Sequence, residues 1–227
     1  MKLVLACCAL MLALLPATAV AQFTDWSAPV KVTGINPAVW EQTKFNSCVT
    51  ISKDGLSLFY ASNRLRAPGD NRDLFVSQRA SVEDPWGEGM PVAALNTTLW
   101  QSCPALSLDE HQLYFASWQA PGCGGVVGGD LVVSRRHSRR DDFNWEPPVA
   151  LGCAPDGPNA ANGAAMAGFD GTPAVFEDEA GRVLMYFASS RTGKLHVYQS
   201  ELDADGAFGP ATPVAGLNSI YMEQGPT

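Results

Sequence analysis

The 227-residue sequence is poor in charge, and poorest in positive charge: 17% of its residues are Asp, Glu, Lys or Arg, with 15 Lys+Arg against 23 Asp+Glu. A formal charge of −8 lacks the positive footprint of a dedicated nucleic-acid binder, so no nucleic acid is expected as a partner. Histidine is scarce too. His111, His137 and His196 fall in a turn, a loop and a degenerate repeat position, without the spacing of a catalytic set. There is no H-E-x-x-H, no G-x-S-x-G and no glycine-rich phosphate loop ahead of a helix. These are the usual sequence warrants for a zinc protease, a serine hydrolase and a nucleotide binder. No C-x-x-C or His-rich spacing points to zinc, so no metal and no cofactor is expected. Beyond the N-terminal segment no run is apolar enough to span a bilayer.

Apolar residues, in contrast, are plentiful at 46%, enough for a core and against a disordered tail. The 21 Gly and 16 Pro suit many short strands and turns better than helices.

The chain opens with Lys2, an apolar run over 3–20, and Ala19-Val20-Ala21. A positive start, a hydrophobic stretch and an A-x-A end describe a secretory signal peptide over 1–21, cleaved to leave Gln22 first. Two other readings are open: an uncleaved anchor, and a lipobox at Val4-Leu5-Ala6-Cys7. The mature chain, 22–227, is expected in the periplasm or secreted. It retains Cys48, Cys103, Cys123 and Cys153. An even count in an exported protein suggests disulfides, and four cysteines allow three pairings.

Four segments recur in fixed order. The first is Cys48-Val49-Thr50-Ile51-Ser52, Cys103-Pro104-Ala105-Leu106-Ser107 and Thr172-Pro173-Ala174-Val175-Phe176. The second is Leu58-Phe59-Tyr60-Ala61-Ser62, Leu113-Tyr114-Phe115-Ala116-Ser117 and Met185-Tyr186-Phe187-Ala188-Ser189. The third is Asp73-Leu74-Phe75-Val76-Ser77, Asp130-Leu131-Val132-Val133-Ser134 and, more loosely, His196-Val197-Tyr198-Gln199-Ser200. The fourth is an aromatic residue followed by Pro-Val: Trp86 with Pro91-Val92, Trp145 with Pro148-Val149, and Phe208 with Pro213-Val214. Four strands per unit, recurring at a roughly fixed period, are the signature of a propeller. Segments two and three are apolar on both alternating faces and must be covered on both sides; stacked blades supply that cover. Asp54-Gly55 is a hairpin signal between the first two segments. Proline in the fourth segment suits an edge strand.

The fold expected is therefore all-β: a β-propeller of four-stranded antiparallel blades, with units at about 47–96, 102–153 and 171–218. An outer strand is expected at 26–36 and the start of a further blade at 219–227. Three blades are fewer than the four to eight that close a ring. The reading is of an incomplete propeller, either the front of a longer frame or an open form completed by oligomerisation.

The repeat resembles that of the TolB-type, WD-repeat-like propeller family. That pattern is Ser-Pro-Asp-Gly, a hydrophobic pair, Phe-x-Ser-x-Arg, then Asp-(Ile/Leu)-Tyr-Val-Ser. It is met here by Ser52-Lys53-Asp54-Gly55, Leu58-Phe59-Tyr60-Ala61-Ser62-Asn63-Arg64 and Asp73-Leu74-Phe75-Val76-Ser77. The second unit has Glu110 and Gln119 for the Gly and Arg, and the third has His196 for the Asp. The resemblance covers the mature chain. It implies a periplasmic or secreted interaction module and licenses no reaction.

Candidate sites follow from placement. Cys123 and Cys153 are expected to bond, pinning the loop between segments two and three of the second unit. Cys48 and Cys103 begin equivalent inner strands and read either as a bond near the axis or, marginally preferred, as two buried thiols. Glu41, Gln42, Gln101, Glu223 and Gln224 precede inner strands. They are candidates for one mouth of the channel, or for fastening strand ends. A carboxylate pair there would suit a cation, a sugar or acid–base chemistry. Arg64 and Arg191, with Asp73 and Asp130, read as ion pairs or loop hydrogen bonds, alternatively as ligand contacts. The run 135–140 is a solvated basic loop or a grip for an anionic surface. Most tryptophans read as blade packing, while Trp118 replaces a polar repeat position and is the candidate for a ligand-stacking ring. The expected function is a binding or scaffold module for a protein or cell-envelope component, with glycan binding or glycan turnover as the alternative.

Overall fold

The computed structural model describes residues 27–36, 44–66, 72–118, 128–153, 156–159 and 168–226. The signal-peptide segment, Glu41, Gln42 and Cys123 lie outside these. Two compact units are separated, 1–31 and 32–227. In the first, the described residues 27–31 are exposed and irregular. All that follows concerns the second.

That unit is built from three four-stranded antiparallel sheets, and no helix occurs among its described residues. The first sheet runs β1 (Asn46–Ile51), β2 (Ser57–Ser62), β3 (Asp73–Gln78), β4 (Met90–Pro91). The second runs β5 (Gln101–Leu106), β6 (Gln112–Ser117), β7 (Asp130–Arg135), β8 (Val149–Ala150). The third runs β9 (Asp170–Glu177), β10 (Val183–Ser189), β11 (His196–Glu201), β12 (Thr212–Pro213). In each sheet the spatial order is the chain order. These are propeller blades, with β1, β5 and β9 innermost. The outermost strands are two residues long, and in the first and third sheets one residue of the pair is proline, which leaves little edge to recruit another strand.

Local chemistry fixes the hairpins. Ser52 Oγ donates to Asp54 Oδ1 at 2.6 Å, and the same carboxylate accepts from Leu56 N at 3.0 Å. Ser107 and Asp109 repeat this with His111. Gly55 takes a φ of 73° in the first turn, and Glu110 takes 61° in the second. A side chain at positive φ is uncommon. Here Glu110 is held by its contacts: its carbonyl accepts from Arg136 Nε, and its carboxylate accepts from Lys53 N across the blade boundary.

The alternation of β2 and its equivalents sends one set of side chains to each neighbouring sheet. Phe59, Leu74 and Val76 of the first blade meet Leu113, Phe115, Val132 and Trp145 of the second in one core cluster. Tyr114, Leu131 and Val133 meet Met185, Phe187 and Tyr198 of the third in another. The far face of the first blade, Leu58, Tyr60 and Phe75, is covered by Ile35 and Trp86. An asparagine clamps each outer loop to the start of strand three. Asn96 brackets Leu74, Asn159 brackets Leu131 and Asn218 brackets Val197, each amide bonding both the N–H and the carbonyl of its partner.

Inner-strand starts are joined through the main chain to the residue ahead of the third strand of the preceding blade. Gln101 N donates to Arg72 O at 2.9 Å, Asp170 N to Gly129 O at 2.7 Å and Glu223 N to Leu195 O at 2.9 Å. Glu223 thus seats on the third blade as Gln101 and Asp170 seat on the first and second.

Two readings are corrected. Cys48 and Cys103 are bonded, their Cα atoms 4.6 Å apart, and are not free thiols. The inner-strand bulge at each brings them within bridging reach. The basic run is not wholly solvated either. Arg136 is buried, donating from Nη1 to Asp142 Oδ1 at 2.5 Å. Asp142 Oδ2 also accepts from Ser57 and Gln78 of the first blade, so this pair ties two blades together.

Candidate cleft at the channel mouth

Each inner strand opens with the same local sequence of roles. An aromatic residue comes first: Phe45, Trp100 and Phe169. A polar residue follows: Asn46, Gln101 and Asp170. Two residues further on, the chain enters positive φ at Cys48 (47°), Cys103 (52°) and Thr172 (52°), and Gly225 holds 72° at the equivalent place. Ladder register shifts accompany the first three. For non-glycine residues such a conformation costs about 1–3 kcal/mol each and persists only where the surroundings enforce it. The repeated bulge turns the strand starts so that their aromatic neighbours gather around one end of the axis.

There they line a cleft of about 630 Å³ together with Arg72, Trp118, Ser47, Thr172 and Gln224. The rings form one chain of contacts. Trp100 and Trp118 lie 5.1 Å apart between centroids, and Trp118 and Phe169 lie 5.4 Å apart. The Arg72 guanidinium stands 4.7 Å from the Phe45 ring centroid and 5.2 Å from that of Trp100. Below this, the inner strands enclose a narrower space of about 240 Å³ around Cys48, Cys103, Thr172 and Gly225.

Polar groups in the cleft are under-used. Ser47 Oγ, Arg72 Nε and Thr172 Oγ1 are buried without a hydrogen-bond partner among the described residues. Burial pulls the Arg72 pKa down from its ordinary value, but guanidinium stays protonated throughout the useful range. Arg72 is the sole charged residue among the described lining of the cleft.

The residues expected at the mouth divide. Trp118 lines the cleft. Gln101 is fully buried behind it: its Oε1 accepts from Thr97 N, and its Nε2 donates to Thr97 Oγ1. Glu223 repeats that arrangement, accepting from the backbone and hydroxyl of Ser219. Those bonds, the Ser219 hydroxyl foremost, hold its carboxyl below the ordinary value. Its Oε2 lies 3.9 Å from His196 Nε2. Cys153 is held in a disulfide, and its expected partner Cys123 is outside the described residues, as are Glu41 and Gln42. Arg64 donates to Ile35 O and Tyr60 Oη. Arg191 pairs with Asp170 at 3.1 Å. Asp73 pairs with Arg66 instead of Arg64.

Phe45, Phe169 and Arg72 were not singled out as site residues from the sequence, and Trp100 was read with most tryptophans as blade packing. The aromatic triplet had a signal: each ring directly precedes the polar residue that opens an inner strand. Arg72 had none, since its equivalents in the other blades are Gly129 and Leu195.

No protein-family model and no curated protein sequence matches the chain. Solved structures do match, at the level of fold. A thermostable family-43 glycoside hydrolase superposes with a TM-score of 0.50 at 13% identity, over 78% of this chain and 55% of that one. A family 117 glycoside hydrolase from Zobellia galactanivorans gives 0.52 at 13% identity, over 82% and 61%. A TolB protein from Agrobacterium tumefaciens gives 0.46 at 15% identity, over 77% and 47%. The chain therefore spans less than two thirds of these structures, which are propeller folds.

Proposed function

We propose that this chain is an exported β-propeller of the TolB-type, WD-repeat-like family that binds a cell-envelope component, and that the component is a glycan held in the aromatic cleft. The observation that carries the reading is the cleft itself: four rings from three blades around buried polar atoms that have no partner among the described residues. Rings offer flat apolar faces to a sugar's C–H faces, and orphaned hydroxyls offer bonds to its OH groups; ligand sites commonly combine such walls with a few convergent polar groups. The Ser-x-Asp turns and the Asp-Leu third strands support the family, and the Cys48–Cys103 bond supports export.

Binding is preferred to turnover because glycoside hydrolysis canonically uses two carboxyl groups flanking one bond. The described lining of the cleft contains no Asp or Glu. The hydrolases of similar fold lend no chemistry at 13% identity.

A glycan array probed with the wild-type chain and with Trp118→Ala tests the reading. The wild type is expected to retain a discrete set of glycans, and the variant to lose affinity at least about tenfold with an unchanged melting temperature. A wild type that retains none, or a variant that binds as well, would return the molecule to a protein-docking role.

A further inference from the structure

We infer that the glycan is acidic, a uronate-type sugar whose carboxylate is received side-on by Arg72. This rests on the reading of the cleft as a glycan site and specifies its ligand.

Among the described residues Arg72 is the one arginine whose Nε is buried and donates no hydrogen bond. Arg64, Arg66, Arg79, Arg136, Arg182 and Arg191 all donate from Nε to a carboxylate, carbonyl or hydroxyl. Arg72 Nε is buried and donates to nothing described. An unmade bond from a buried charged donor is costly, by more than for a neutral one. Its position is nonetheless fixed: the Arg72 carbonyl is locked to Gln101 N, and Phe45 and Trp100 flank the guanidinium. A pre-placed cation with open donors, in a molecule of net charge −8, selects for an anion at that point.

The same chain shows how the pairing is made. Arg66 takes Asp73 with Nε–Oδ2 at 2.8 Å and Nη2–Oδ1 at 2.6 Å, and Arg182 takes Asp178 with Nε and Nη2 on one oxygen at 2.8 and 2.6 Å. A planar carboxylate matches the planar fork. A sugar carrying it would lie against Trp118 and Trp100. Its ring hydroxyls would then meet the Ser47 and Thr172 hydroxyls turned into the cleft, since both residues line it and their oxygens lack partners among the described residues. A sulfate ester shares the negative charge and can also meet the fork; the carboxylate is assigned on the precedent of Arg66 and Arg182 in this chain.

The test titrates the full chain with alginate and polygalacturonate oligosaccharides, with the same fragments after carboxyl reduction, and with a sulfated neutral galactan. Emission from Trp100 and Trp118 reads occupancy. Carboxyl reduction is expected to cost about tenfold to a hundredfold in affinity. Arg72→Gln is expected to bring acidic fragments down to the affinity of reduced ones, so that the acidic-to-reduced ratio falls to about one. Arg72→Lys keeps the charge without the fork. It is expected to retain a weakened acid preference, and it serves in place of the glutamine variant if that one melts early. Equal wild-type affinity for acidic and reduced fragments, or a tighter grip on the sulfated galactan, would overturn the carboxylate assignment and leave glycan binding standing. Failure to bind any of the fragments, together with an empty array, would remove both.

Discussion

Gly129 has no side chain where Trp118 has its ring. A Cβ on Gly129 would sit 2.9 Å from the Trp118 Cη2 and Cζ2 atoms, and 2.9 Å from Phe169 Cδ2. Arg72 and Leu195 occupy the equivalent place in the other blades, so glycine here makes room for one particular ring. Gly129→Ala should force Trp118, Phe169 or both to shift. The expected result is altered tryptophan emission and near-UV circular dichroism, with a severalfold loss of glycan affinity at near-native stability. Wild-type emission and affinity in this variant would show that ring placement is not limiting.

The Cys48–Cys103 bond closes a loop with a sequence separation of 55. Restricting an unfolded loop of that size is worth about 2–4 kcal/mol. Cys48→Ser with Cys103→Ser should lower urea stability by that order. It should also loosen the cleft, because both residues line it. Denaturation curves under oxidising and reducing conditions check this: the wild type should respond to reductant more than the double variant does.

Among the described residues Asp142 is the carboxylate paired with buried Arg136, and it also satisfies Ser57 and Gln78 of the neighbouring blade. Removing one member of a buried pair strands the other, at about 3–5 kcal/mol. Asp142→Ala should therefore be far more damaging than Asp141→Ala, whose carboxylate is exposed and serves only its own turn. Chemical denaturation of the two variants side by side gives the comparison.

Stability should fall at both ends of the pH range. Asp54 is held below the ordinary aspartate value by the Ser52 hydroxyl first and the Leu56 amide next. At Asp109, burial pushes upward but is outweighed by the bonds from Ser107 and His111, so the net direction is also down. A lowered folded pKa means stability is present above the unfolded value of 3.8 and is lost as pH falls through the folded one. Asp54→Asn should flatten that acid limb. Tyr60 and Tyr114 are pushed by burial from 10.0 to about 12. Their contribution is complete below pH 10.0 and disappears as pH rises toward 12. Melting temperatures across pH 10–12 should drop as these phenols ionise, and less so in Tyr114→Phe.

The blades were legible in the sequence because their determinants are local. Alternating Leu58-Phe59-Tyr60-Ala61, the Ser52–Asp54 turn and the proline-bearing edges act within a few residues. The cleft was legible through Trp118, whose size departs from the small polar residue at that repeat position, and through Gln224 ahead of its inner-strand position. The Cys48–Cys103 bond depends on where the bulges of two strands meet, a distance that equivalence in sequence does not reveal. Arg136 looked solvated amid Arg135, Arg139 and Arg140. Its burial is decided by Asp142 and by Glu110, whose partners sit on the neighbouring blade. Arg72 gave no warning at all, since what marks it is the bond it does not make.

The hand-over from blade to blade at Arg72, Gly129 and Leu195 uses only main-chain atoms. Any residue able to present a carbonyl can serve there, and three unrelated side chains do. Selection is thereby free to rewrite that position for chemistry without weakening the joint. A cation in one blade, a gap in the next and an aliphatic wall in the third make one rim asymmetric on a repeated frame.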